Sequence, residues 1–155
     1  MIGAIERSPE KRCTVLLVDD VCDSREMYAF FLRAAGYAVH EAADGSAAVA
    51  VTLEFRPDVI VMDLALPSMD GWAVIANLST NPETGAIPVV VLSAHTFPAD
   101  ADRAREAGAA AFLAKPCVPE HLARIVRQVS ESCDGAFIPP SSVSTAPRTG
   151  PKLAP

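Results

Sequence analysis

Five short runs of apolar and β-branched residues recur along the chain, separated by longer, Ala-rich stretches of helix length. The runs fall at residues 14–18, 37–40 (the weakest), 59–62, 89–92 and 110–113. The three strongest, at 14–18, 59–62 and 89–92, do not alternate apolar with polar as half-wet strands do, so they read as strands buried on both faces. Buried strands alternating with helices predict a parallel sheet covered by helices on each side.

The helix signals fit that plan. Asp23 or Ser24 is placed to cap a first helix running to about Ala35, with Gly36 as its stop. Met27, Phe30, Phe31 and Ala34 recur at three and four and predict its buried face. A second helix is expected from Gly45 to Phe55, with Asp44 and Ser46 as cap candidates, and a third from about Gly71 to Leu78. A fourth is expected between Pro98 and Ala107. The fifth opens near Pro119 and carries Leu122, Ile125, Val126 and Val129 on one face.

With 155 residues, half of them apolar and 21% charged, the chain suits one domain and a tail. The expected division is an N-terminal extension over 1–11, a domain over 12–133 and a disordered tail over 134–155, which holds five of the 13 prolines. Phe137 and Ile138 are the tail's one apolar pair, the part of it suited to docking. A net charge of −6 gives no basic face for direct binding of nucleic acid. Four cysteines without a Cys-x-x-Cys pair suggest neither a disulfide framework nor a zinc site. No targeting or membrane segment is visible, so a cytoplasmic protein is expected.

In a doubly wound sheet, ligands sit beyond the carboxyl ends of the strands, where strand order reverses. The first strand ends in Asp19-Asp20, the third in Asp63, the fourth in Ser93, and the fifth runs into Lys115-Pro116. Any one of these residues alone is ordinary turn chemistry; together at one edge they form a set. Two like charges about 4 Å apart repel by about 4 kcal/mol at an effective dielectric of 20, so three carboxylates need a cation or protons. Oxygen ligands without His or Cys suit Mg²⁺, or Mn²⁺. A lysine and a hydroxyl suit phosphoryl oxygens, and one carboxylate, best Asp63, is placed to attack phosphorus.

These pieces, "LLVDD", "VIVMDLALPSMDGW", "VVVLSA" and "AAAFLAKP", resemble in order and spacing the receiver domain of two-component response regulators, over about Lys11 to Glu131. The resemblance implies a flavodoxin-like (βα)5 fold with strand order 2-1-3-4-5. It implies Asp63 as phosphoacceptor and Mg²⁺ held by Asp20, Asp63 and the Ala65 backbone carbonyl, with Asp19 acting partly through water. It implies Ser93 and Phe112 as switch residues, Lys115 as the phosphoryl partner and a cis peptide before Pro116. Ala65 and His95 fall where the family modulates phosphoryl lifetime. The donor would be a histidine kinase or a His-phosphotransfer protein. Phosphorylation would draw Ser93 across, let Phe112 turn inward, and alter a surface made by the fourth helix, fifth strand and fifth helix. Phe97, Arg103, Arg105, Phe112 and His121 are candidates for that surface. If the chain is whole, the expected protein is a stand-alone switch or phosphate relay, and if it is a fragment, a receiver cut from a larger regulator. Either way it is expected to be monomeric or to dimerise on phosphorylation, to act on a downstream protein and to catalyse only its own phosphorylation and dephosphorylation.

Three other readings compete. A pseudo-receiver would keep the fold and bind partners without phosphotransfer. A phosphatase of the haloacid dehalogenase type would need an acid two residues after Asp63, where Ala65 stands. A flavin protein on the same fold would need a phosphate loop after the first strand, where "DDVCDS" is acidic. Trp72 reads as a packing residue, Met27 and Met62 as core, His40 as a strand-end residue without catalytic duty, His121 as a solvated residue, Arg103, Arg105 and Glu106 as a solvated helical face, and Cys117 and Cys133 as unactivated thiols.

Overall fold

A computed structural model describes residues 12–66, 70–94, 98–131 and 137–139. Five strands alternate with five helices: β1 Thr14–Val18, α1 Cys22–Ala34, β2 Ala38–Ala42, α2 Gly45–Phe55, β3 Val59–Met62, α3 Gly71–Thr80, β4 Val89–Ser93, α4 Pro98–Glu106, β5 Ala111–Ala114 and α5 Pro119–Glu131. The sheet is parallel throughout, in the order β2-β1-β3-β4-β5. This is the flavodoxin-like arrangement implied by the resemblance.

Successive strand residues point to opposite faces, and each face has its own core. Val15 and Leu17 face α1 and α5, among Tyr28, Leu32, Leu122, Ile125, Val126 and Val129. Leu16 and Val18 face α2, α3 and α4, among Ala48, Val74, Ile75, Leu78 and Ala104. Both faces of β1, β3 and β4 are covered, which is why their sequences are continuously apolar. Each fully buried Val, Leu or Ile contributes about 1.5–3 kcal/mol, so the three central strands dominate stability.

α5 buries the expected face, but α1 does not. Its buried residues are Tyr28, Ala29 and Leu32. Met27, Phe30 and Phe31 are 41%, 66% and 38% exposed, so the face predicted for the core is turned toward solvent. The cause lies in what the other face offers: Ala29 permits close approach to the sheet, and the Tyr28 hydroxyl donates to the Cys117 carbonyl at 2.9 Å. The predicted cap also differs. α1 starts at Cys22 after Val21, with no side-chain cap. Asp44 does cap α2, accepting from the Ala47 amide at 2.8 Å.

Within the stretch expected to be a disordered tail, 134–155, residues 137–139 lie against β5, with Ile138 bridged to Ala111. The remainder of the tail and the extension over 1–11 lie outside the described residues.

Candidate functional site

Strand order reverses between β1 and β3, whose carboxyl ends lie side by side. Asp19 and Asp20 follow β1, and Asp63 follows β3. The Asp19 amide donates to the Ala42 carbonyl and the Asp63 amide to the Val18 carbonyl, so both acids are held by the sheet's own ladder. Carboxylate oxygens of Asp19, Asp20 and Asp63 lie within 4.8 Å of one another. Asp19 and Asp63 are buried, whereas Asp20 is exposed.

Lys115 enters from the end of β5. Its Nζ lies 3.1 Å from Asp19 Oδ2 and 3.2 Å from Asp63 Oδ2. Its amide donates to the Ser93 carbonyl at 2.8 Å, tying the β5 end to the β4 end. A cis peptide joins Lys115 to Pro116, as the resemblance implies. Ser93 is fully buried at the end of β4.

The hydrogen bonds divide the acids by role. Asp19 Oδ1 accepts from the Val21 amide at 2.9 Å, and Oδ2 accepts from the Ser24 hydroxyl at 2.9 Å as well as from Lys115. Both of its oxygens are therefore engaged by protein. Asp63 Oδ1 accepts from the Ala65 amide at 3.0 Å. Burial pushes the Asp63 carboxyl above the usual carboxylate range and Asp19 pushes the same way; the Ala65 amide and Lys115 only partly offset this. Burial pulls Lys115 down, but Asp63 and Asp19 together outweigh it, and its net shift is upward.

Charge balance follows. Three carboxylates against one ammonium leave two negative charges within a few ångströms, the deficit that one divalent cation fills. The nearby Arg25 is occupied elsewhere, with its guanidinium on Glu41 at 3.1 Å and on the Asp19 backbone carbonyl at 2.8 Å. An all-oxygen donor set fits a hard ion such as Mg²⁺.

The loop after β3 is shaped by Gly71. A Cβ there would stand 2.6 Å from Leu64 Cα and 3.0 Å from the Asp63 carbonyl oxygen, so only glycine lets α3 begin directly behind the acid. Asp70 caps α3 through the Trp72 amide. Residues 67–69 lie outside the described residues, as do His95 and Phe97.

Sequence reasoning missed three members of this neighbourhood. Ser24, read as a cap, donates to Asp19 instead. Arg25 buttresses the Asp19 backbone. Tyr28, overlooked in favour of Met27 and Phe30, anchors the loop after Lys115 through Cys117. Only spacing after the Asp pair could have flagged them.

Phe112 also differs from expectation. Its ring is fully buried in the core shared with Met62, Val91 and Ala104, so in this structure it already lies inward. Among the other surface candidates, Arg103 stacks over Trp72 at 4.4 Å and Arg105 stands over Phe137 at 5.9 Å. His121 Nε2 is buried without a partner, and burial lowers its pKa, with Arg124 adding to the effect. His40 stacks on Phe55. The Cys22 and Cys117 thiols are both raised, Cys22 by its bond to Glu26 and Cys117 by burial, which suits unactivated thiols.

The family model for the response regulator receiver domain matches residues 15–127. The chain belongs to the response regulator receiver family. The receiver resembles the chemotaxis response regulator CheY4 of Vibrio cholerae, with 33% identity and a TM-score of 0.72 over 76% of this chain and 98% of that one. A putative response regulator from Chloroflexus aurantiacus superposes with a TM-score of 0.75 at 34% identity, over 79% of this chain and 100% of that one. Among curated relatives, the DNA-binding regulator RpaA of Synechocystis is 36% identical over 72% of this chain and 46% of its own length. The gliding motility regulatory protein of Myxococcus xanthus is 37% identical over 68% of this chain but 14% of its own length. The receiver thus spans half or less of these curated relatives. No helix among the described residues is long and apolar enough to cross a membrane.

Proposed function

We propose that this receiver is a phosphorylation switch of a two-component relay, with Asp63 as the acceptor. The observation that carries the reading is the convergence of Asp63, two further acids and Lys115 at the switch point of the sheet.

Asp20 and Asp63 would hold Mg²⁺ directly, together with the Ala65 carbonyl. Asp19, both of whose oxygens are engaged by protein, would act through water. The ion would neutralise the carboxylates and the phosphoryl oxygens they face. In the transfer, an Asp63 oxygen forms a bond to phosphorus as the donor's phosphorus–nitrogen bond breaks. Asp63 must be ionised to attack, and Lys115 favours that form against the cost of burial. After transfer, Lys115 pairs with a phosphoryl oxygen and the Ser93 hydroxyl donates to another. Because Phe112 is already inside, movement of Ser93 would act by repacking the Phe112 ring within the core. That would bias the α4–β5–α5 surface between two packings, which a downstream protein reads. The phosphoryl donor would be a histidine kinase or a His-phosphotransfer protein.

The test is incubation with acetyl phosphate, with and without Mg²⁺, beside Asp63→Asn, read by intact mass. One Mg²⁺-dependent phosphoryl group, absent in the variant, is the expected result. A folded protein that gains none would instead be a pseudo-receiver acting through its unmodified surface.

A further inference from the structure

β5 is not the last paired segment among the described residues. Ile138 bridges Ala111 in the parallel sense. Its amide donates to the Ala110 carbonyl at 2.9 Å, and its carbonyl accepts from the Phe112 amide at 3.0 Å. Those are the two bonds that a residue makes to a parallel neighbour. The neighbouring side chains fall on opposite faces, as in a strand. Ile138 packs on the core of α1 and α5, and Phe137 on the core that holds Phe112 and Ala104 of α4. Arg105 of α4 stands over the Phe137 ring. Running β5, α5 and then back along β5 in parallel is the course of one more βα crossover.

An open sheet edge invites another strand. Here the edge of β5 lies within the α4–β5–α5 face, and its Phe112 amide and Ala110 carbonyl are already engaged in cis. The cover is short. In a parallel ladder the next donor after Ile138 would be residue 140, and both 139 and 140 are prolines without an amide hydrogen. Two hydrogen bonds and two half-buried side chains place the segment at the low end of local stability.

We propose that residues 137–139 form a displaceable sixth strand that caps β5 and keeps the α4–β5–α5 face closed to extended partner segments carrying an adjacent aromatic and aliphatic pair. It grips the backbone of Phe112, the residue that the switch would repack. Its release on phosphorylation therefore rests on the reading of Asp63 above, whereas the cap itself rests on the pairing alone.

The test uses the full chain and its Ile138→Asp variant, followed by residue-resolved amide exchange. The Phe112 amide should exchange roughly tenfold faster in the variant while β1 and β3 stay protected. A labelled peptide of residues 134–141 should bind the variant and not the unaltered chain. Equal Phe112 exchange in the two chains, or a peptide that binds neither, overturns the cap. If Ile138→Asp loosens β1 and β3 as well, Phe137→Ser applies the same test from the other face. Acetyl phosphate with Mg²⁺ should also speed Phe112 exchange in the unaltered chain. A mass gain without that change overturns the link to the switch. No mass gain removes the Asp63 reading, and the exchange comparison still decides the cap.

Discussion

Lys115 Nζ stands 3.2 Å from Asp63 Oδ2, and the same ammonium reaches Asp19 at 3.1 Å. One cation from the end of β5 thus joins the ends of β1 and β3. Removing it leaves two buried carboxylates facing each other. Lys115→Met should lower stability by about 1–3 kcal/mol at neutral pH, the range for a buried charge that loses its partner's hydrogen bonds. Denaturant midpoints of the two proteins, taken without metal, check this.

The pH dependence of that loss has a definite sign. The folded Lys115 pKa is raised, so its contribution is complete below its ordinary value and fades as pH rises through the higher folded value. The folded Asp63 pKa is raised as well, chiefly by burial, so Asp63 favours the fold while protonated and loses that contribution as pH climbs from the usual carboxylate range through its raised value. The Lys115→Met penalty should therefore shrink as pH is lowered and Asp63 takes up its proton. Urea titrations from pH 4 to 8 would show the two stability curves converging at the acid end; parallel curves would refute the coupling.

Two uncompensated negative charges predict stabilisation by a divalent ion. At a hundredfold excess over its dissociation constant, Mg²⁺ should add about 2.7 kcal/mol, which for a domain of this size is roughly 10 °C in Tm. The gain should vanish in Asp63→Asn and fall sharply in Asp20→Asn, because those acids would hold the ion directly. It should survive in part in Asp19→Asn, since Asp19 is engaged by Val21, Ser24 and Lys115. A shift of equal size in all three variants would argue for nonspecific binding.

What was legible in the sequence follows from how each residue is determined. The strands and the acids that end them were legible because a strand buried on both faces is apolar throughout and a polar residue after it lies at the sheet edge, whatever the surroundings. The buried face of α1 was not, because Met27, Phe30 and Phe31 match a helical stripe as well as Tyr28 and Leu32 do; the choice was made by Ala29's close packing and by the Tyr28 bond to Cys117, a residue far along the chain. Ser24 was misread for a related reason. Its hydroxyl suited either a helix cap or Asp19, and only the fold brings the acid within reach. Ile138 pairs with β5 although two prolines follow it, because a single residue with a free amide and carbonyl suffices for two ladder bonds to β5.

Gly71 offers the sharpest test of how the site is positioned. Its missing side chain lets α3 begin against the backbone of Asp63 and Leu64, where a Cβ would meet Leu64 Cα at 2.6 Å. The obstacle is backbone, so no rotamer change relieves it. Gly71→Ala must push α3 and the loop after β3 apart, and overpacking of this kind costs about 1–3 kcal/mol. Because Asp63 and Leu64 supply the crowded atoms, the strain falls on Asp63 rather than on the distant faces of the sheet. Gly71→Ala should therefore lower Tm by about 4 °C or more and also weaken Mg²⁺ stabilisation. Gly85→Ala serves as the control: its Cβ would crowd the Ser79 and Asn81 carbonyls at 2.9 and 3.1 Å, at the far end of α3. It should cost stability while leaving the Mg²⁺ effect intact. Thermal melts of both variants across a Mg²⁺ series would separate crowding at Asp63 from crowding elsewhere, and an unchanged Mg²⁺ response in Gly71→Ala would show that the placement of Asp63 does not depend on this contact.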